Sequence, residues 1–230
     1  MNSRLLILLM FVIGLPLVWG AFTYDASSRA AIHEIQGPKW KKSTARTFYS
    51  KVRRYGDWPW LMLAGGIGLG AATLAQSRKW QRILIAAMLA STIAGLTINI
   101  SRLTTGRTRP GADKKIDQGF YGPWANGKIT IGDPSYNSFP SGHTATAFGF
   151  AGVILFASPW LGLPAMALAA LVAWASMMVD AHHLSDITAS TLIALAIAWF
   201  FWRWVEKSGD EAWERLKRKL QDLRKRRKKS

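Results

Sequence analysis

The sequence predicts an all-α, polytopic membrane protein built as a bundle of six transmembrane helices. Three observations carry that prediction. Half of the 230 residues are hydrophobic and only 19% are charged, against about a quarter charged in ordinary soluble domains. The hydrophobic residues gather in six long runs, with the charge packed between them. Trp58, Trp60, Trp80, Trp160, Trp199, Trp202 and Trp204 lie near the ends of those runs, where aromatic belts form. This distribution excludes a disordered chain. The absence of Cys excludes a disulfide scaffold and a thiol enzyme; it is compatible with an oxidising face.

The first run covers residues 5–22 and follows Arg4. A cleaved signal peptide is the alternative, with Gly20 and Ala21 as small residues, but the run is long for an h-region and the cleavage site is poorly formed. The second run, residues 59–76, is rich in Gly and Ala, which suits close helix packing. The third covers residues 83–100, the fourth 139–157, the fifth 161–179 and the sixth 187–205. A bilayer core needs about 20 apolar residues in a helix, with a range of about 17 to 25. Backbone polar groups in lipid must be paired internally, so such runs are helices. Residues 1–205 therefore read as one six-span domain, with residues 24–58 as a basic interfacial loop and 206–230 as a basic tail.

Orientation follows from positive charge. Residues 203–230 carry 12 Lys+Arg against 5 Asp+Glu and are expected in the cytoplasm. Six spans then place the N-terminus there too, as Arg4 suggests. The short loop with Arg78, Lys79 and Arg82 falls on the same side. Residues 24–58 break the rule: they hold 8 Lys+Arg against 3 Asp+Glu on the predicted outer side. That loop is expected to work at the outer surface, attracting anionic headgroups, with Trp40, Phe48 and Tyr49 embedded at the interface. In the tail, Trp213, Leu216, Leu220 and Leu223 form an amphipathic pattern suited to anionic lipid. The net charge of +17 would allow nucleic-acid binding, but no nucleic-acid motif accompanies it, so no nucleic-acid partner is expected.

Three polar clusters interrupt the apolar pattern at span ends on one predicted side. Ionisable residues near membrane depth are functional candidates. Arg102 and Arg109 are seven residues apart, about 10 Å and nearly two turns on a helix. Both then face one side, where two guanidinium groups can close on one anion; Pro110 would stop that helix. Snorkelling at the membrane edge is the plainer reading. Pro140-Ser141-Gly142-His143 puts a hydroxyl and backbone N–H groups at a helix start, a ready anion site. Ser141 alone would also serve as an ordinary N-cap. His143 is placed to donate a proton. His182 and Asp186 share a face if helical, so the carboxylate can hold the imidazole in one tautomer. An interhelical hydrogen bond is the alternative. The chain has four His, one of them the isolated His33, so a zinc site is not expected.

Taken together, the three clusters resemble the type 2 phosphatidic acid phosphatase superfamily. These are membrane lipid-phosphate phosphatases related to bacterial acid phosphatases and vanadium haloperoxidases. The family pattern reads Lys-x6-Arg-Pro, then Pro-Ser-Gly-His, then Ser-Arg-x5-His-x3-Asp. Here the first is Arg102-x6-Arg109-Pro110, with Arg for Lys; the second is complete; the third keeps His182-x3-Asp186 but has Ser176 where the family has Arg. The resemblance implies that His182 attacks phosphorus, Asp186 orients it, and His143 protonates the leaving group and then assists water. Arg102, Arg109, Ser141 and the Gly142 N–H would hold the phosphoryl oxygens, without metal or cofactor. At Ser176 two readings stay open. Either the site has a gap, which Ser176→Arg would fill with a gain in kcat/KM, or Arg107 occupies the vacant place.

The expected function is hydrolysis of a lipid phosphate or pyrophosphate monoester at the outer face of a bacterial-type inner membrane. Both termini are expected in the cytoplasm. A lipid phosphotransferase, or a lipid-phosphate binder or transporter weakened by Ser176, are the alternatives. The sequence leaves the lipid and the oligomeric state open, along with the roles of Asp180 and His183. Asp180 is expected to pair with a basic residue.

Overall fold

The computed structural model describes residues 8, 10–113, 115–125 and 127–227. A π-helical turn, Met10–Gly14, leads into α1 (Leu15–Thr23). Then come α2 (Asp25–Gln36), α3 (Thr44–Arg54), α4 (Trp58–Leu74) and α5 (Arg78–Thr105). Between α5 and the next helix the described residues include a two-stranded hairpin, β1 (Trp124–Ala125) against β2 (Lys128–Ile129), pairing Trp124 with Ile129. The chain closes with α6 (Gly142–Ala157), α7 (Pro159–Met178) and the long α8 (Leu184–Arg227). Arg4 and the start of the first run lie outside the described residues. So does the amphipathic side-chain pattern expected for residues 213–223, although the backbone there is helical.

Three of these helices are long and apolar enough to cross a membrane by length and composition: Arg78–Thr105, Pro159–Met178 and Leu184–Gly209. Val12–Thr23, Trp58–Leu74 and Gly142–Ala157 are apolar but shorter. The second to fifth runs lie within a few residues of α4, α5, α6 and α7, whereas α8 continues the sixth run far past residue 205, to Arg227.

Helix α6 forms the centre of the bundle. Its Ala145, Phe148 and Ala151 pack with Ala94 and Ile98 of α5, Ala169 and Val172 of α7, and Ala194 of α8. Small residues set these distances. A Cβ on Gly149 would lie 3.0 Å from the Ala90 carbonyl oxygen, and one on Gly152 would lie 2.8 Å from Ala198 Cβ. Larger apolar side chains point outward instead, among them Ile67, Leu74, Trp160 and Leu168. That inversion suits lipid: hydrocarbon solvates Leu as well as a core does, so helices associate through close contact of small residues.

Residues 24–58, read from sequence as an interfacial loop, are mostly helical. Ser43 caps α3 by accepting from the Arg46 N–H at 3.1 Å. Trp40 corrects one expectation. It is buried with Ile32, Met177 and Met178 against the end of α7 rather than embedded at the surface; Phe48 remains exposed. The turn after α3 meets α6 and α7 closely: a Cβ on Gly56 would sit 2.6 Å from Val172 Cγ1 and 2.8 Å from the His143 carbonyl oxygen.

Candidate active site

The three polar clusters meet at one end of the bundle. Arg102 and Arg109 reach it differently from the sequence expectation. Helix α5 ends at Thr105, and Gly106 turns the chain with φ of 52°. A Cβ at Gly106 would stand 1.8 Å from the Gly122 carbonyl oxygen, so this reversal needs glycine. Pro110 is therefore not the helix stop, and Arg109 arrives on the following loop. Arg102 Nε donates to the Pro140 carbonyl at 2.8 Å, and Nη1 to Asn99 Oδ1 at 3.4 Å. Its guanidinium lies over Gly142, 3.2 Å from where a Cβ would stand. The Arg109 backbone N–H donates to the Ser135 carbonyl at 2.8 Å and its Nη2 to the Asn137 carbonyl at 3.4 Å. Arg102 Nη2 and Arg109 Nε are buried with no hydrogen-bond partner in the protein. Burial lowers the Arg109 pKa, against the pull of the Asp186 carboxylate.

Ser141 occupies the N-cap position of α6 but makes no side-chain cap bond. Its Oγ accepts from Thr144 Oγ1 at 2.9 Å, and its N–H donates to Ser190 Oγ at 2.6 Å. The first-turn N–H groups that follow, beginning at Gly142, belong to the uncapped end of a helix, which favours anions. His143 projects from this turn. Its Nε2 lies 2.6 Å from Asp57 Oδ1, and its Nδ1 lies 3.5 Å from Arg53 Nη2. Burial lifts the Asp57 carboxyl above its ordinary value, while Arg53 and Arg54 pull it back.

His182 and Asp186 are close but do not share a helix. Asp180 takes φ of 56° in the turn after α7, and α8 begins at Leu184, after His182. His182 Nδ1 lies 2.8 Å from the Ser138 carbonyl oxygen and 3.6 Å from Asp186 Oδ2. A carbonyl only accepts, so Nδ1 carries the proton and Nε2 the lone pair. The carbonyl fixes this tautomer directly; Asp186 acts on the ring as a neighbouring charge. His182 Nε2 is buried and without a partner. Burial pushes the His182 pKa down to about 4, against the raising effect of Asp186 and with further lowering by Arg102 and Arg109.

Asp186 is fully buried, accepting from Ser138 Oγ at 2.5 Å and the His183 N–H at 2.7 Å. Its other oxygen pairs with Arg107 Nη1. Arg107 also donates to Ser185 Oγ and Asp25 Oδ2, each at 2.6 Å. The rings of Phe22, Phe120 and Phe139 surround its guanidinium at 5.0, 4.9 and 5.8 Å. Arg107 is thus held behind Asp186 and does not fill the place that Ser176 leaves. Ser176 is itself wholly buried, its Oγ donating to the Val172 carbonyl at 2.9 Å.

His183 Nε2 lies 3.2 Å from the Thr108 carbonyl. Burial lowers its pKa, with Asp186 opposing. Asp180 Oδ1 lies 3.3 Å from both His33 Nε2 and Gln36 Nε2. Among the described residues, no three His, Asp or Glu side chains group as metal ligands.

Four residues at the site were not singled out from the sequence: Arg53, Asp57, Ser138 and Asp25. One signal pointed towards the first two. The stretch 24–58 carries excess positive charge on the side where the topology predicts little, which is what an anion-binding element there would need.

A model of the PAP2 superfamily matches residues 80–210, a stretch that contains all three clusters. A lipid A 1-phosphatase of Porphyromonas gingivalis is 23% identical over 126 residues, covering 53% of this chain and 24% of that protein. This chain thus aligns with about a quarter of that relative's length. The crystal structure of LpxE from Aquifex aeolicus aligns with a TM-score of 0.54 at 17% identity, covering 78% of this chain and 94% of that one. The crystal structure of a transmembrane PAP2-type phosphatidylglycerolphosphate phosphatase from Bacillus subtilis aligns with a TM-score of 0.57 at 15% identity, covering 86% and 94%. These two structures share the fold.

Proposed function

The chain belongs to the PAP2 superfamily, and from that premise we propose that it is an integral-membrane phosphatase hydrolysing a lipid phosphate or pyrophosphate monoester. One observation carries the proposal. Arg102 Nη2, Arg109 Nε and His182 Nε2 are buried polar atoms with no protein partner. Two cationic donors and one nucleophilic lone pair left open together are the complement of a phosphoryl group. Buried polar groups otherwise find partners.

In the proposed reaction, His182 Nε2 donates its lone pair to phosphorus. The P–O bond to the leaving group breaks as His143 gives a proton to the departing oxygen, leaving a phosphohistidine. His143 then takes a proton from water as the water oxygen bonds to phosphorus. The P–N bond breaks, its electrons return to Nε2, and phosphate departs. Arg102, Arg109, Ser141 and the Gly142 N–H stabilise the charge on the phosphoryl oxygens, which is most of what phosphoryl transfer requires. Asp186, held by Ser138 and Arg107, supports His182. The proposed chemistry uses no metal or cofactor.

A lipid substrate is supported by the space beside the site. An apolar groove of about 690 Å³ runs between α3, α4, α6 and α7, with Val52, Tyr55, Trp60, Phe150 and Leu168 in its walls. Acyl chains would lie there with the phosphate above. We place the site at the outer face of a bacterial-type inner membrane, with six spans over residues 1–205 and both termini in the cytoplasm. The basic tail, residues 206–230, is assigned to the anionic inner surface. Phosphate release from a panel of lipid phosphates by the purified protein in detergent tests the function. Release that disappears in His182→Ala is expected. No release from any monoester or pyrophosphate would turn the reading towards binding or transport. Phosphate appearing on an acceptor lipid instead of in solution would indicate a phosphotransferase.

A further inference from the structure

We infer that Arg53, carried by helix α3 outside the bundle, is a phosphate-binding residue of this site and supplies the cation that position 176 lacks. The inference rests on the phosphatase reading for its substrate but not for its geometry.

Placement comes first. The turn after α3 is fixed over the site by two contacts. Thr146 Oγ1 donates to the Gly56 carbonyl, and Gly56 packs on Val172 Cγ1 and the His143 backbone. Val172 and Ser176 are four residues apart on α7 and share a face. Arg53 therefore enters from beside the helix face that carries Ser176. Its Nη2 reaches to 3.5 Å from His143 Nδ1. Its Nε is buried with no partner, like Arg102 Nη2, Arg109 Nε and His182 Nε2.

Charge comes second. Burial, and then the Arg109 charge, bring the Arg53 pKa down to about 10, so the group stays cationic at neutral pH while crowded by another cation. Asp57, which offsets it in part, is bonded to His143 at 2.6 Å. Arg107 in the same chain shows what a structural arginine looks like here: two carboxylates and three aromatic faces satisfy it. Arg53 has neither. A buried cation beside other cations is costly unless an anion completes the set. Arg53 and Arg109 also line one cavity of about 730 Å³, together with Lys41 and Arg46. A cavity with these four basic residues in its lining suits an anionic headgroup.

The test is calorimetric titration of the detergent-solubilised full chain with inorganic phosphate and with orthovanadate, run beside phosphate release from lipid phosphates. Arg53→Gln is expected to weaken binding of both anions at least tenfold. Arg54→Gln, the exposed neighbour, is expected to stay within twofold. Should Arg53→Gln not fold, Arg53→Lys decides: it keeps the charge but not the fork of donors, and a loss of threefold or more is expected. Unchanged anion affinity in the folded variant, or no anion binding by the wild type, overturns the inference. Arg53-dependent anion binding without phosphate release would leave it standing while removing the phosphatase reading.

Discussion

His143 Nε2 and Asp57 Oδ1 stand 2.6 Å apart, across the junction between the central helix α6 and the turn that precedes α4. The proposed proton donor thus has a carboxylate of its own. With Nε2 committed to Asp57, Nδ1 is the nitrogen facing Arg53 and the open donors. A carboxylate in that position orients the ring, much as base and orienter pair in other sites.

The pair predicts a split by leaving group. Asp57→Asn should reduce kcat on a lipid phosphate about tenfold or more, because an alkoxide leaves poorly without a proton. On an aryl phosphate with a good leaving group the same variant should stay near wild type. Steady-state kinetics on both substrates checks this; equal losses on the two would make Asp57 merely structural.

Arg107 should govern stability more than chemistry. Arg107→Ala leaves Asp25 and Asp186 without their shared cation in a buried place. Removing one partner of a buried pair costs about 3 kcal/mol or more. A clear fall in melting temperature in detergent is expected, together with loss of turnover through Asp186. An unaltered melting curve would contradict the clamp that joins α1–α2 to α8 through this residue.

Acid sensitivity should follow His182. In the proposed reaction the ring must be neutral to attack, and its pKa lies near 4 because burial outweighs Asp186. Protonation therefore removes the nucleophile only as pH falls towards 4, below the usual imidazole range of about 6.5. The acid limb of kcat/KM is expected there. A limb centred at ordinary histidine values, with chemistry limiting, would mean that the lone pair is more exposed than its packing indicates.

At position 176 the sequence leaves two readings open, a gap or a place filled by Arg107. A gap there implied that Ser176→Arg would raise kcat/KM. Ser176 is wholly buried against its own helix, and Arg53 already stands by the site. An added Arg would overfill the helix packing and add a fourth cation beside Arg53, Arg102 and Arg109. Lower folded yield and no gain in kcat/KM are expected. A well-folded variant with a tenfold gain would restore the gap.

How far the sequence was legible depends on distance along the chain. The helices are readable because long apolar runs read as helices in lipid, and three of them, Arg78–Thr105, Pro159–Met178 and Leu184–Gly209, are long and apolar enough to cross a membrane. His143, His182 and Asp186 stood out because their spacing joins motifs that each sit at a helix end. The reach of Arg109 was misread, since a spacing of seven suggests a continuous helix and only the turn at Gly106, pressed against Gly122, breaks it. The i, i+4 spacing points to Asp186 as what fixes the His182 tautomer, whereas the Ser138 carbonyl sets it; backbone acceptors leave no trace in side-chain patterns. Arg53 and Asp57 were hidden for another reason. They meet His143 from about 90 residues away, on a segment whose only mark was charge on the unexpected side.

The central claim is that His182 Nε2 becomes bonded to phosphorus. Rapid-quench labelling with a lipid phosphate carrying radioactive phosphorus tests it directly, with the label located by peptide mapping under alkaline conditions that preserve phosphohistidine. The account predicts an acid-labile label on the peptide containing His182, formed within one turnover and absent in His182→Ala. Turnover at the native rate by His182→Ala, or a label on another residue, would contradict it.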